Sequence, residues 1–250
     1  MNPYIGVTGF MNKDEVLAVL NMLPQDLKRK VMIGVLASSK TIQGFSNKWP
    51  SRYPKPENLG DIFQPHPEAL NLIHFNTDDP EFLFEQTEKA RALAGKHCHG
   101  FQLNIAWPNP VTLQKIASVK ENEVIVLQIR KRAFEMMKDS PQRLADFVAS
   151  EYATLVDYIL LDASGGYGKE LNTEALKEYL RALTEKHLEI GIGVAGGLSP
   201  STLHLMNPLI EEFPDLSIDA EGKLRDTNDN LNVGVATSYL LDAIALFEKK

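Results

Sequence analysis

"YILLDASGGYGKELN", residues 158–172, runs apolar to Asp162 and then turns into a glycine pair, with a third glycine after Tyr167. A stretch that is apolar at nearly every position reads as a strand covered on both faces, as in a parallel sheet. A carboxylate and loop glycines at its end mark a functional strand end, because scaffolded loops are where binding and catalytic groups gather. Seven further β-type runs occur: "YIGVTGF" (4–10), "VMIGVLAS" (31–38), "LNLIHFNT" (70–77), "GFQLNIAW" (100–107), "EVIVLQI" (123–129), "EIGIGVAG" (189–196) and "DLSIDAE" (215–221).

Segments of helical period lie between and after these runs. "NKDEVLAVLNML" (12–23) opens on Asn12, a plausible N-cap, and "DDPEFLFEQTEKARALAG" (78–95) has Asp before Pro at its start and stops at Gly95. "NPVTLQKIASVKEN" (109–122), "SPQRLADFVASEYATL" (140–155), "NTEALKEYLRALTEKH" (172–187) and "SPSTLHLMNPLIEEF" (199–213) each begin with a capping residue, three of them followed by proline. "LNVGVATSYLLDAIALFEKK" (231–250) reads as a final helix. Eight strands alternating with helices imply a (β/α)₈ barrel of the TIM type, one domain over residues 1–250. A doubly wound open sheet is the competing arrangement. Residues 39–69 are rich in Pro, Gly and Ser and carry little helical period, so they read as a long loop after strand 2, a partial lid or a surface decoration.

Composition narrows the function classes. The chain is 44% apolar and 24% charged, as globular domains are, and its net charge of −7 disfavours nucleic acid and anionic membranes as partners. A lone cysteine, Cys98, rules out an internal disulfide and a cysteine-rich zinc site. The start "MNPYIGVTGFMNKDE" lacks the basic and apolar regions of a secretory leader, and no apolar run is long enough for a membrane helix. A cytoplasmic protein, monomer or homodimer, acting on a small molecule and needing no cofactor, is the expectation.

In a barrel the C-terminal strand ends form the site. Those ends carry Thr8 and Gly9, Ser38 to Lys40, His74, Asn76 and Asp78, Gln102, Asn104 and Trp107, Gln128 and Arg130, Asp162 and Ser164, Gly196 and Gly197, and Asp219 and Glu221. Polar groups ending apolar runs make sense when they gather in a wet cleft. Asp162 at such a mouth is partly desolvated, which suits a general acid, although a loop cap or a pair with Lys169 or Arg130 would use the same residue type. The glycines at 165, 166 and 168, and those at 196 and 197, let backbone N–H groups approach an anion, and Ser199 is expected to begin a helix whose N-terminus favours negative charge. "KHCHG" (96–100) looks metal-like but precedes strand 4 and therefore lies on the opposite face of a barrel.

On these motifs the chain resembles the phosphoribosylanthranilate isomerase family of phosphate-binding barrels. "LLDASGGYGKELN" is similar to that family's strand-6 motif, "GVAGGLSPSTL" to its strand-7 motif, and "GFQLNIAW" to its strand-4 segment. "PSRY" (50–53) is similar to a Ser-Pro-Arg segment that contacts substrate. The resemblance implies an acid at Asp162 in an N-ribosyl phosphate rearrangement. It implies phosphate contacts at Gly165, Gly166, Gly168, Gly196 and Gly197, with Gln102, Asn104, Lys40 and Arg130 as further substrate-binding candidates. The family's strand-1 cysteine base is absent: one register puts Thr8 there and another Ile5, and a threonine hydroxyl is a poor base near neutral pH. Asp219 and Glu221 stand where the family has a Ser-Gly phosphate step, and would repel a phosphate unless Lys223 or Arg225 folds inward. The expectation is thus a related barrel that transfers protons on a small sugar or sugar phosphate by a different reaction, with Asp162, Asp219, Glu221 and Thr8 as catalytic candidates. The alternatives are a divalent-metal enzyme on an unphosphorylated sugar, with the metal on Asp162, Asp219 and Glu221, or a non-catalytic binding barrel.

Overall fold

A computed structural model describes residues 2–119, 122–162 and 172–248. Eight parallel strands, β1 (Tyr4–Thr8), β2 (Lys30–Ser38), β3 (Ala69–Asn76), β4 (Gly100–Leu103), β5 (Val124–Ile129), β6 (Tyr158–Asp162), β7 (Gly191–Ala195) and β8 (Ser217–Ala220), close into a barrel in chain order, with β1 pairing β8. The open-sheet alternative is thereby excluded. Helices follow the strands: α1 (Lys13–Leu20), α2 (Leu59–Ile62), α3 (Leu83–Ala94), α4 (Pro110–Val119), α5 (Lys131–Met136), α6 (Pro141–Glu151), α7 (Thr173–Thr184), α8 (Asn207–Ile210) and α9 (Val233–Glu248).

The side-chain period of two explains why the strands read as unbroken apolar runs. One parity, with Ile5, Val7, Ile33, Val35, Ile73, Phe75, Ile125, Leu127, Ile159 and Leu161, packs outward in the large core shared with the helices. The other parity, with Tyr4, Met32, Leu70, Leu72, Val126, Tyr158, Leu160 and Ala195, fills the barrel. Tyr4 and Tyr158 meet edge to face at 5.2 Å near the N-terminal end, where the Tyr158 hydroxyl donates to the Asn2 carbonyl at 2.6 Å. Continuing the inward parity toward the strand ends gives Thr8, Ser38, His74, Asn76, Gln102, Gln128, Asp162 and Asp219, so the apolar plug passes into a polar layer at the other end. The sheet register fixes that passage: Leu36, His74, Gln102 and Val126 lie side by side, as do Asp162, Ala195 and Asp219.

The expected caps form at three helices. Asn12, Ser140 and Asn172 accept from the backbone N–H groups of Glu15, Arg143 and Ala175. Two expectations need correction. No helix begins at Ser199: its N–H donates to the Thr202 hydroxyl at 2.9 Å, and a 3₁₀ turn over Leu203–Met206 passes into the short α8. Pro208 lacks the N–H that an uninterrupted helix would need, so the segment settles into two short pieces. The helix α5 after β5 was not expected from the sequence, and it ends where Lys138 and Asp139 take positive φ. The loop over 39–69 carries only short turns and the four-residue α2. Among the described residues no helix is long and apolar enough to cross a membrane.

Candidate functional site

Five side chains at the polar end of the barrel form a hydrogen-bonded chain, with His74 beside its middle. Thr8 Oγ1 lies 3.2 Å from each oxygen of Asp219, and Gln102 Nε2 donates to Asp219 Oδ2 at 3.1 Å. The same Gln102 nitrogen reaches Gln128 Oε1 at 3.4 Å and His74 Nδ1 at 3.3 Å. Gln128 Nε2 then donates to Asp162 Oδ2 at 3.0 Å. Arg130 flanks that carboxylate, its Nε 3.7 Å from Asp162 Oδ2, and its Nη1 donates to Asn104 Oδ1 at 3.1 Å.

Burial makes this chain electrostatically consequential. Asp162 and Asp219 are each only 4% exposed. Desolvation raises the Asp219 carboxyl from 3.8 to about 7, with the Gln102 and Thr8 hydrogen bonds opposing and the negative charges of Glu221 and Asp162 adding to the rise. Desolvation, with Arg130 nearby, lowers the His74 imidazole to about 4, so this ring is neutral at neutral pH. Gln102 Oε1 is left buried without a hydrogen-bond partner, a strain of about 1–3 kcal/mol. Turning the amide over would relieve it only by aiming that oxygen at the oxygens of Asp219 and Gln128, so the amide stays as it is.

Above this layer opens a cavity of about 750 Å³, lined by Ser38, His74, Asn76, Asn104, Gln128, Arg130 and Asp162 from the strand ends. Lys40, Trp49, Arg52 and Tyr53 of the loop after β2, and Glu221 and Lys223 after β8, complete the wall. The loop is pinned there by Arg52. Its Nε and Nη2 grip Asp229 at 2.8 and 2.7 Å, and its Nη1 donates to Glu221 Oε1 at 3.0 Å. The guanidinium also stands 4.7 Å from the Trp49 ring centroid, in cation–π range. Arg225 does fold inward. It is 2% exposed, lies 3.6 Å from Glu221 Oε1 and packs on Gly9, whose φ of 114° and missing Cβ make the room. Glu221 is therefore held between two arginines rather than presented as a bare negative charge.

Of the residues singled out from the sequence, Asp162, Glu221, Asn104, Lys40 and Arg130 line the cavity together. Asp219, Gln102 and Thr8 lie in the buried layer beneath it. Thr8 donates its proton to Asp219, so it serves as a hydrogen-bond donor to that carboxylate. Gly196 and Gly197 take positive φ after β7, and the Gly197 carbonyl accepts from the Thr202 hydroxyl at 2.8 Å; neither glycine is among the described cavity-lining residues. Gly165, Gly166 and Gly168 lie outside the described residues. Among the described residues no group of three or more His, Cys, Asp or Glu side chains can hold a metal ion: Asp162, Asp219 and Glu221 each turn to separate partners. Cys98 and His99 of "KHCHG" are used in packing below β4, where His99 Nδ1 accepts from the Asn71 N–H at 2.9 Å. His74 and Gln128 stood in the sequence only as two polar strand ends among many. Trp49, Arg52 and Tyr53 gave no signal beyond "PSRY".

No protein-family model and no curated protein sequence matches the chain. Solved structures do. A phosphoribosyl anthranilate isomerase from Thermus thermophilus superposes with a TM-score of 0.65 at 15% identity over 97% of this chain and 99% of that one. Engineered monomers of the dimeric phosphoribosylanthranilate isomerase from Thermotoga maritima give 0.60 at 15% identity, over 97% of this chain and 98% of that one. An orotidine 5′-monophosphate decarboxylase from Methanocaldococcus jannaschii gives 0.52 at 12% identity, over 97% and 98%. At these identities the likeness is one of fold, and the shared fold is the (β/α)₈ barrel.

Proposed function

We propose that this chain is a barrel enzyme that moves a proton, by acid/base catalysis, on a small polyhydroxylated substrate bound in the mouth of the barrel, a sugar or sugar phosphate. The observation that carries the reading is the Asp162 carboxylate. It lines the cavity, is almost wholly withdrawn from bulk water, and is aimed by Gln128 on one side and flanked by Arg130 on the other. A carboxylate so held has the fixed geometry that proton transfer requires.

The wall suits hydroxyl-rich ligands. Ser38, Asn76 and Asn104 offer both donors and acceptors, and Trp49 offers a face against which a sugar ring can lie. Lys40, Arg130 and Lys223 supply positive charge for a phosphate. The structural neighbours named for phosphoribosyl and orotidine 5′-monophosphate chemistry point to the same ligand class. Glu221, which lines the cavity along with Asp78, is the candidate partner in a two-group transfer. Asp219 acts from beneath, as a buried carboxyl group that the Gln102–Gln128 pair connects to Asp162.

The test is a thermal-shift screen of free aldoses, aldose phosphates and phosphoribosyl compounds, followed by proton NMR of the hits in D₂O. Wild-type protein should exchange a carbon-bound proton beside the substrate carbonyl for deuterium. Asp162→Asn, which keeps an oxygen for Gln128, should abolish exchange while shifting the melting temperature by no more than about 3 °C. Wild-type exchange by Asp162→Asn would remove the carboxylate from the reaction.

A further inference from the structure

The polar layer has a direction, and the direction fixes a histidine. A carboxylate only accepts, so Asp162 takes the Gln128 amide nitrogen and leaves Gln128 Oε1 facing Gln102. That oxygen, together with Asp219 Oδ2, turns the Gln102 nitrogen inward, toward both of them and toward His74 Nδ1. An amide nitrogen only donates. Its two protons are shared among three acceptors, and a proton on His74 Nδ1 would face only N–H groups there, so Nδ1 is the unprotonated nitrogen and the ring's proton sits on Nε2. Protonation of Asp219 does not reverse this order, because a protonated Oδ1 can donate a hydrogen bond to the Thr8 hydroxyl oxygen while Oδ2 still accepts from Gln102.

We propose that His74 is locked by the Asp162–Gln128–Gln102 chain as the neutral Nε2–H tautomer and offers that N–H to an oxygen of the substrate in the cavity. The proposal deepens the sugar-substrate reading given above and rests on it for the ligand. His74 lines the cavity beside Asn76 and Gln128, within the same ring of strand ends as Asp162. The charged groups that act on the ring are Arg130, which follows β5, and Asp162 of β6; its neighbours on β2 and β4, Leu36 and Gln102, are neutral. A neutral imidazole that donates a hydrogen bond polarises a carbonyl oxygen without giving up its proton, while a neighbouring carboxylate removes or returns a proton on carbon. Asp162 and His74 thereby divide the work: the carboxylate moves the proton, and the imidazole holds the oxygen on which charge develops. Gln102 is a positioning residue in this scheme.

The test is two-bond ¹H–¹⁵N correlation NMR on ¹⁵N-histidine protein, with His74 assigned by the signal lost in His74→Asn. The expected spectrum shows an unprotonated Nδ1 and a protonated Nε2, unchanged from about pH 8 to about pH 5. In Gln102→Met, which removes the donor but keeps the bulk, both nitrogens should move toward averaged values as the two tautomers mix. A protonated Nδ1 in the wild type, a doubly protonated ring at neutral pH, or no change in Gln102→Met would overturn the lock. The second arm titrates D-ribose 5-phosphate, with inorganic phosphate as control. The His74 Nε2–H should shift with the sugar phosphate and not with phosphate alone. A shifted Trp49 indole with an unmoved His74 would overturn the donor role. If neither signal responds, the sugar-phosphate reading of the cavity fails together with the donation, while the tautomer result stands on its own spectrum.

Discussion

Replacing Asp219 with asparagine should make the protein markedly less sensitive to pH. Burial raises this carboxyl from 3.8 to about 7, so between those limits the folded chain keeps a proton that the unfolded chain has lost. The associated stability is fully present below about pH 4, falls as the pH rises toward 7, and stays at its low level above that. The gap between the two values corresponds to about 4 kcal/mol. Asparagine has no proton to lose, and the site can absorb it: its oxygen accepts from Gln102 Nε2 and its amide donates to the Thr8 hydroxyl. The advantage of Asp219→Asn over wild type, measured by urea unfolding at a series of pH values, should therefore grow by about 4 kcal/mol between pH 4 and pH 8. Because every other ionisable side chain is present in both proteins, most of the remaining pH dependence cancels in the difference. A difference that is flat with pH would show that Asp219 titrates as an exposed carboxylate does, and that the layer beneath the cavity is wet.

Other expectations follow from the same geometry. A methyl at Gly34 would lie 3.0 Å from Thr8 Cα and press on its hydroxyl, so Gly34→Ala should destabilise by about 1–3 kcal/mol in chemical denaturation, with Gly222→Ala, which meets nothing within 4 Å, as the neutral control. Arg52→Ala removes the grip on Asp229 and Glu221, and hydrogen exchange across residues 45–58 should speed up while the barrel strands keep their protection; unchanged exchange would mean that the loop is held by its packing alone.

The barrel was legible because of what its strands bury. A strand covered by helices outside and by plug residues inside must be apolar at both parities, and eight such runs separated by capped helical segments leave few other closed arrangements. The break at α8 was also written in the sequence, at Pro208, although the capping residue Ser199 and an apolar period favoured an unbroken helix. The site was legible in part. Asp162, Arg130 and Asn104 end strands whose order fixes that they converge, and they do. The loop clamp was not legible, since Arg52 and Asp229 are 177 residues apart and nothing local pairs them. Nor was the division of Asp162 and Asp219 into cavity wall and buried layer, because both are inward-facing carboxylates at strand ends. The register sets both at one level, and what separates them is which side chains from other elements cover them, Thr8 and Gln102 in the case of Asp219.

The proposed function requires a sugar-like ligand in the barrel mouth against Asp162, beneath the loop pinned by Arg52. A crystal structure of the protein soaked with the best hit of the aldose phosphate screen tests it most directly. The expected density places the ligand within hydrogen-bond reach of Asp162 and His74, with Trp49 along one face. A ligand found instead on the far side of the barrel, in the small cleft lined by Arg29, Pro214 and Phe247, with the mouth filled only by water, would contradict it.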